Sequence, residues 1–125
     1  MSPRSRPRTR RQFPRTARVS HLVQEILAEQ LTRIDDERLL LVTVTDVDID
    51  ADLSRAIVFF DSPTGPEGDE TIIEALEGFR HRLQAAVNRE ARLRRTPMLV
   101  FKPDPAIRGA ARIDQILHRI HRDEA

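Results

Sequence analysis

Arginine is the residue type in this sequence whose number and position best suit chemistry with phosphate groups. Residues 1–18 contain seven arginines and no acidic residue. Subtracting these seven from the 21 basic residues leaves 14 basic against 20 acidic residues in the rest of the chain, a balance of −6. Because the planar guanidinium suits phosphate oxygens and stacking on bases, an arginine arm on an acidic body predicts a phosphate-rich partner. Frequent arginine can also reflect genomic base composition alone. The arginines of the arm are Arg4, Arg6, Arg8, Arg10, Arg11, Arg15 and Arg18.

A second group of arginines crowds the second half of a predicted long helix, with Glu90 as the only acid among them. Arg82 and Arg89 are seven residues apart and therefore lie on nearly one helical face. A charge run is usually only a solvated helix face, but two basic segments on an acidic body are typical of nucleic-acid binding. The predicted phosphate contacts are Arg82, Arg89, Arg92, Arg94 and Arg95, and the secondary candidates beside Gly109 are Arg108 and Arg112.

Two patterns could in principle hold a metal ion, and neither fits. Aspartates alternate from Asp46 to Asp52, but a calcium loop needs glycine at its sixth position and glutamate at its twelfth. Ala51 and Ile57 occupy those positions, so a solvated strand face and hairpin is the better interpretation. His118 and His121 are one helical turn apart, yet no glutamate base or third ligand accompanies them. No metal site and no cofactor is predicted.

Catalytic and phosphate-loop motifs are also missing from the sequence. There is no cysteine, no Walker loop, no dinucleotide fingerprint and no nucleophile elbow, although catalytic groups can be scattered along a chain. The segment 65–68 spells the GxxG of nucleic-acid-binding KH domains. It holds proline and glutamate and falls between a predicted strand and a helix rather than between two helices, which favours a plain turn. We therefore predict a protein that binds rather than one that catalyses, with no small-molecule substrate.

The elements that must position these arginines follow from hydrophobic spacing. Residues 19–34 have the spacing of an amphipathic helix, and β-rich segments follow at 39–45 and 56–60. The register of the first strand changes near Thr45, so either the strand ends there or a bulge resets it. A long helix starts after Asp69, a third strand covers 98–101, and a final helix places Ile113, Ile116, Leu117 and Ile120 on one face. The predicted fold class is α+β, in the order helix, strand, strand, long helix, strand, helix.

Length and composition predict one domain with a modest core, since 125 residues include 39% hydrophobic side chains. We expect a disordered arm over 1–17, in which Pro3, Pro7 and Pro14 interrupt any helix, a folded domain over 18–121 and a tail over 122–125. No apolar run approaches the roughly 20 residues of a membrane helix, so no membrane association is predicted. Phe59, Phe60 and Phe101 are expected to enter the core, which favours a monomer.

Several separated segments together resemble the ribosome-binding factor A family of bacteria. Segment 36–39 is similar to the D-x-R-L element of that family, and 42–58 looks like its TVT-x-V…DL-x-x-A-x-V strand pair. Segment 93–104 is similar to its LR-x-x-P-x-L-x-F-x-x-D stretch. Gly109, Arg112, Ile113 and Leu117 match its C-terminal element, so the resemblance spans about residues 18–120.

The resemblance implies a single KH-like domain of type II topology, with a three-stranded sheet packed against helices. It also implies a cytoplasmic factor that binds the small (30S) ribosomal subunit and its 16S rRNA near the neck and assists late maturation, including 5′-end processing. A role in cold adaptation and the absence of enzymatic activity are further implications. On this basis the arginines 82, 89, 92, 94, 95, 108 and 112 are expected to contact RNA, and the arm is expected to steer the protein to it.

The sequence departs from the family at the long helix, which in the family is kinked at an Ala-x-Gly motif. Here the candidate kink residues are Gly78, Phe79, Arg80 and His81.

Three other functions stay open from the residues alone. They are a generic nucleic-acid-binding KH module, an adaptor whose arginines bind acidic protein surfaces, and a small hydrolase with dispersed catalytic residues.

Overall fold

The computed structural model describes residues 14–107 of the chain. It contains three α-helices, two short 3-10 helices and one three-stranded sheet. In chain order the elements are α1 (Pro14–Thr32), a 3-10 helix (Glu37–Leu39), β1 (Thr43–Ile49), β2 (Arg55–Asp61), a 3-10 helix (Gly65–Gly68), α2 (Asp69–Gly78), α3 (Arg80–Ala91) and β3 (Met98–Pro103).

Helix α1 begins at Pro14, four residues before the domain boundary that the sequence predicts at residue 18. Proline fits the first turn of a helix because its fixed φ suits the helix and its missing N–H would have no partner there. Pro14 therefore opens a helix rather than interrupting one. The remainder of the predicted arm, residues 1–13, lies outside the described residues.

The sheet has the order β1-β2-β3, with β1 antiparallel to β2 and β2 parallel to β3. Of the two possibilities at Thr45, the structure shows the bulge, because the register shifts between Val44 and Asp46 and the strand continues to Ile49. The extra residue reverses the alternation and returns Val47 and Ile49 to the buried face.

One face of the sheet forms the core with the helices. Phe60, Leu27, Leu83 and Leu99 are its largest fully buried side chains. Phe101 is also buried, as predicted, but the prediction for Phe59 is wrong. Phe59 alternates with Phe60 along β2 and therefore points to the opposite face, where it is half-buried.

The first strand starts later than predicted, at Thr43 instead of 39, because a 3-10 helix occupies Glu37–Leu39. Asp36 caps this helix by accepting a hydrogen bond from the backbone N–H of Arg38 at 2.9 Å. The Arg38 side chain donates to both carboxylate oxygens of Asp36, at 3.0 and 2.6 Å, and Leu39 enters the core. Local side-chain bonds to the backbone thus outweigh the β propensity of the leucines that follow.

The predicted long helix is interrupted at Phe79, which separates α2 from α3. A short helical stretch at 105–107 ends the described part, and the predicted final helix with Ile113, Ile116, Leu117 and Ile120 lies outside it. Up to β3, the observed order of helices and strands is the α+β arrangement that the sequence predicts, with the long helix divided in two. It also agrees with the KH-like fold implied by the family resemblance.

Candidate nucleic-acid interface

Helix α3 is amphipathic and carries Arg82 and Arg89 on the side away from the core. Leu83, Ala86 and Val87 are buried against the sheet and α1, whereas Arg82 and Arg89 are exposed. This division follows from helical spacing, since residues three and four apart share a face. The core contacts of α3 therefore hold its basic side toward solvent.

Arg82 and Arg89 mark the two ends of this exposed side. Arg82 donates a hydrogen bond to the carbonyl oxygen of Arg33 at 3.3 Å, just beyond the end of α1. Arg89 contacts the carboxylate of its neighbour Glu90 at 3.4 Å. Because a guanidinium has five donor hydrogens, each arginine retains donors for a phosphate group.

The loop after α3 adds three exposed arginines, Arg92, Arg94 and Arg95. Arg92 ends the helix in the left-handed conformation, with φ 53° and ψ 44°. Asp52 in the β1–β2 hairpin has its pKa lowered mainly by a hydrogen bond from Ser54, with a smaller electrostatic contribution from Arg95. Because Met98 at the start of β3 pairs with Arg55 at the start of β2, the loop that contains Arg95 leads to the hairpin end of the sheet.

The arm leads into α1, which packs against α3. Arg82 near the start of α3 contacts Arg33 just past the end of α1. Arg15 lies in the first turn of α1, and Arg18 is exposed on the next. Arg4, Arg6, Arg8, Arg10 and Arg11 lie outside the described residues, as do Arg108 and Arg112.

The candidate kink residues surround the interruption at Phe79. The backbone N–H of Phe79 is shared between the carbonyls of Ala75 at 3.3 Å and Leu76 at 3.1 Å, with φ −101° and ψ 11°. Gly78 and His81 are exposed. Arg80 behaves differently from the other arginines, since it donates to the carbonyl oxygen of Leu99 in β3 at 3.1 Å. The structure therefore does not place Arg80 with the solvent-facing arginines.

The GxxG segment forms a 3-10 turn between β2 and α2. Gly65 has φ +68°, a conformation that favours glycine. No basic residue lies in this turn, which follows a strand rather than a helix. Its glycines therefore have a local structural role.

A cleft of about 380 Å³ lies between the segment 37–42 and the β2–α2 connection, and the sequence patterns did not predict it. Leu40 and Leu41 line it and are 76% and 66% exposed. The predicted strand over 39–45 includes both leucines, and alternation in a strand would bury one of them. The sequence feature that indicates this cleft is the run of three leucines directly after the D-x-R cap.

The described part of the chain has neither a metal cluster nor a membrane helix. Residues 14–107 contain no group of three or more histidine, aspartate or glutamate side chains that could hold a metal ion. No helix within that range is long and apolar enough to cross a bilayer. His118 and His121 lie beyond it.

Comparison with known proteins identifies the family. The model of the family "Ribosome-binding factor A" matches residues 15–117. A ribosome-binding factor A from Rubrobacter xylanophilus is 37% identical over 107 residues, which cover 85% of this chain and 87% of that protein. One from Syntrophus aciditrophicus is 35% identical over 114 residues, covering 90% and 93%.

Solved structures agree with these sequence matches. The crystal structure of ribosome-binding factor A from Thermus thermophilus gives a TM-score of 0.63 at 34% identity, covering 70% of this chain and 93% of that one. A Thermus thermophilus homology model fitted into a cryo-EM map of a complex with the 30S subunit gives 0.60 at 34% identity, covering 72% and 96%. The family match, the identities and the shared fold establish that this chain belongs to the ribosome-binding factor A family.

Proposed function

We propose that this protein is an assembly factor that binds the small ribosomal subunit and contacts its 16S rRNA through arginines. The observation that carries the proposal is the clustering of exposed Arg89, Arg92, Arg94 and Arg95 at the end of α3 and in the loop after it. The relative fitted into a map of a 30S complex supports the choice of partner.

The electrostatics favour a shaped, phosphate-lined site over arbitrary nucleic acid. Arginines on α3 and in the arm attract phosphates, and guanidinium forks hold them in a defined orientation. The acidic remainder of the chain, 20 acidic against 14 basic residues, repels phosphate that approaches from other directions. The exposed basic end would therefore enter an rRNA groove while the rest of the domain stays outside it.

Binding alone can assist maturation without any catalytic step. A factor that binds an immature rRNA conformation more tightly than the mature one raises the population of the first. It leaves when the mature contacts are complete. We propose that this mechanism supports late maturation, including 5′-end processing by a separate nuclease, in the cytoplasm and with the factor acting as a monomer. A role at low temperature follows from the family resemblance alone.

The test is sedimentation of the tagged protein with ribosomal fractions across a salt series. We expect co-migration with free small subunits and not with assembled ribosomes. Replacing Arg89, Arg94 and Arg95 together by glutamine should reduce the slope of log affinity against log salt by about 2–3, since each lost phosphate contact removes roughly 0.7–0.9. The same replacement of Arg33 and Arg38, which are exposed but lie outside the end of α3 and the loop after it, is the control and should leave the slope unchanged.

Other outcomes separate the alternatives. Binding to bulk RNA with no preference for small subunits indicates a generic KH module. Association that survives nuclease treatment indicates an adaptor that binds acidic protein surfaces. Failure to sediment with small subunits at low salt contradicts the proposal. The arm is tested by replacing its arginines, which should lower affinity and salt slope with little change in sequence preference.

A further inference from the structure

The sheet has a second face that none of the described helices covers. Ile57 and Phe59 of β2 and Val100 of β3 lie on it half-buried, and Met98 is 50% exposed. The register places Ile57 beside Val100, so these side chains form one apolar stripe along the β2–β3 pair. We call this stripe, with its neighbours on β1, the outer sheet face.

The outer sheet face is acidic on β1 and mainly apolar in the middle of β2 and β3. Asp48 pairs with Ile57 and Asp46 pairs with Phe59, so an acidic row on β1 lies beside the apolar stripe. Antiparallel strands commonly have one polar face in water, whereas parallel pairs are generally covered on both sides. On the outer face of the parallel pair β2–β3, Ile57, Phe59 and Val100 form an apolar middle, and the charged Arg55 and Lys102 toward its ends are exposed. An apolar stripe on the second face of a parallel pair is typical of a sheet that is covered on both sides.

The described chain ends on this same side of the sheet. Asp104 follows β3, is 5% exposed, and accepts a hydrogen bond from the hydroxyl of Thr45 on β1 at 2.6 Å. Because β2 lies between β1 and β3, this contact crosses the sheet. Asp104 lies three positions after the buried Phe101, and its backbone N–H still donates to the Phe60 carbonyl oxygen of β2, so alternation along β3 places its side chain at the outer face.

Asp104 also starts a helix at this point. Its other carboxylate oxygen accepts from the backbone N–H of Ala106 at 2.9 Å, and 105–107 are helical. Aspartate as N-cap followed by Pro105 is a strong helix start, because the carboxylate binds a free N–H and proline suits the first position. The described part of the chain therefore ends on the outer side of the sheet.

The sequence beyond residue 107 complements the outer sheet face in shape and charge. Ile113, Ile116, Leu117 and Ile120 have the spacing of one helical face. On a helical projection Arg108, Arg112 and Arg119 fall on a single flank of that face. A helix over 108–121 would be about 21 Å long. Strand β2 has seven residues and a length of about 23 Å.

From these relationships we infer that residues 108–121 dock as a helix on the outer sheet face, with their isoleucines and leucine on the β2–β3 stripe and their arginine flank beside Asp46 and Asp48. The domain then has three layers, with helices on both sides of the sheet. In this arrangement Arg108 and Arg112 neutralise the acidic row of β1. The inference does not depend on the ribosomal partner.

The absence of cysteine from the chain makes a thiol-protection test direct. Val100→Cys is introduced into the full chain, and its rate of reaction with Ellman's reagent is measured. Ile116→Asp with Ile120→Asp should raise that rate about tenfold or more, because the variant would bury two charges in place of isoleucines. Gln115→Asp with His118→Asp adds the same acids to the opposite helical face and should leave the rate within about twofold. Equal rates in all variants would overturn the inference.

Disulfide formation provides a second readout that requires no disruptive substitution. Cysteine at Val100 is combined, one at a time, with cysteine at each position from 113 to 120. We expect intramolecular disulfides to form with a helical period, highest at 113, 116, 117 and 120 and lowest at 115 and 118. Disulfides that appear only between two chains would show that a second copy covers the face. A uniform low yield would show that nothing from this segment covers it, and either result contradicts the inference.

Discussion

Arg80 and Gln84 of α3 together satisfy both backbone groups of Leu99 in β3. The guanidinium Nε of Arg80 donates to the Leu99 carbonyl oxygen at 3.1 Å, and the Gln84 side-chain oxygen accepts from the Leu99 N–H at 3.1 Å. Because β3 is an edge strand of the sheet, these groups have no neighbouring strand to pair with. Side chains from one turn of α3 therefore supply the hydrogen bonds that a neighbouring strand would make with Leu99. They protect this edge of the sheet against pairing with another chain.

This relationship predicts that Arg80 is needed for stability more than for RNA binding. Its guanidinium also lies 5.8 Å from the centroid of the Phe101 ring. Arg80→Ala should lower the free energy of unfolding by about 1–3 kcal/mol, because a part-buried carbonyl loses a charged donor. Chemical denaturation measures the change. Arg89→Ala removes an exposed arginine of the same helix and should cost no more than about 0.5 kcal/mol. Equal stability of the two variants would contradict this assignment.

Arg92, in contrast to Arg80, should contribute to RNA binding while lowering the stability of the fold. A non-glycine residue at φ 53° is strained, and glycine is the preferred residue at such a helix end. Arg92→Gly should therefore raise the free energy of unfolding by about 1 kcal/mol relative to Arg92→Ala, which lacks the charge but keeps the strain. Both variants should weaken binding to small subunits equally, since both lose the guanidinium. If Arg92→Gly is no more stable than Arg92→Ala, the left-handed backbone is not the source of strain.

Local patterns in the sequence were enough to predict the order of the elements up to β3 and most of the core residues. Helical and alternating spacing located α1, the strands and α3, and the phase change at Thr45 gave the bulge as one of two possibilities. The misplaced boundaries have local causes. Hydrogen bonds between Asp36 and Arg38 form a 3-10 helix where leucines suggested a strand, and Pro14 opens a helix where it suggested a break.

The site was less predictable, because the sequence does not reveal which arginines face inward. Arg80 and Arg82 are two residues apart and equally basic, yet one is held against β3 and the other faces solvent. Only the packing of α3 on the sheet separates them. The placement of Phe59 similarly depended on which face of β2 the helices cover, and composition cannot decide that.

Gly78 is expected to tolerate a larger side chain while the interruption at Phe79 remains. A Cβ built at Gly78 meets nothing within 4 Å, and the residue is exposed at the end of α2. Gly78→Ala should raise the free energy of unfolding by about 0.4–1 kcal/mol, because alanine restricts the unfolded chain more than glycine does. Thermal or denaturant unfolding measures this, with Ala85→Gly on the exposed side of α3 as a control that should have the reverse sign. A loss of small-subunit binding by a stabilised Gly78→Ala would show that the interface needs a flexible junction here.

The contact between Asp36 and Arg38 predicts an acid-sensitive turn. Hydrogen bonds from the Arg38 side chain, followed by the Arg38 backbone N–H, lower the pKa of Asp36 from 3.8 to about 2. A carboxyl whose pKa is depressed by folding stabilises the fold above its unfolded pKa and loses that contribution as pH falls toward the folded value. The turn over Glu37–Leu39 should therefore loosen between about pH 4 and pH 2.

An NMR titration of the Asp36 carboxyl should give a midpoint near 2 in the parent chain. Arg38→Gln should return that midpoint toward 3.8, whereas Arg33→Gln, whose arginine pairs with Glu29, should leave it unchanged. A midpoint near 3.8 in the parent chain would mean that this pair does not persist in solution.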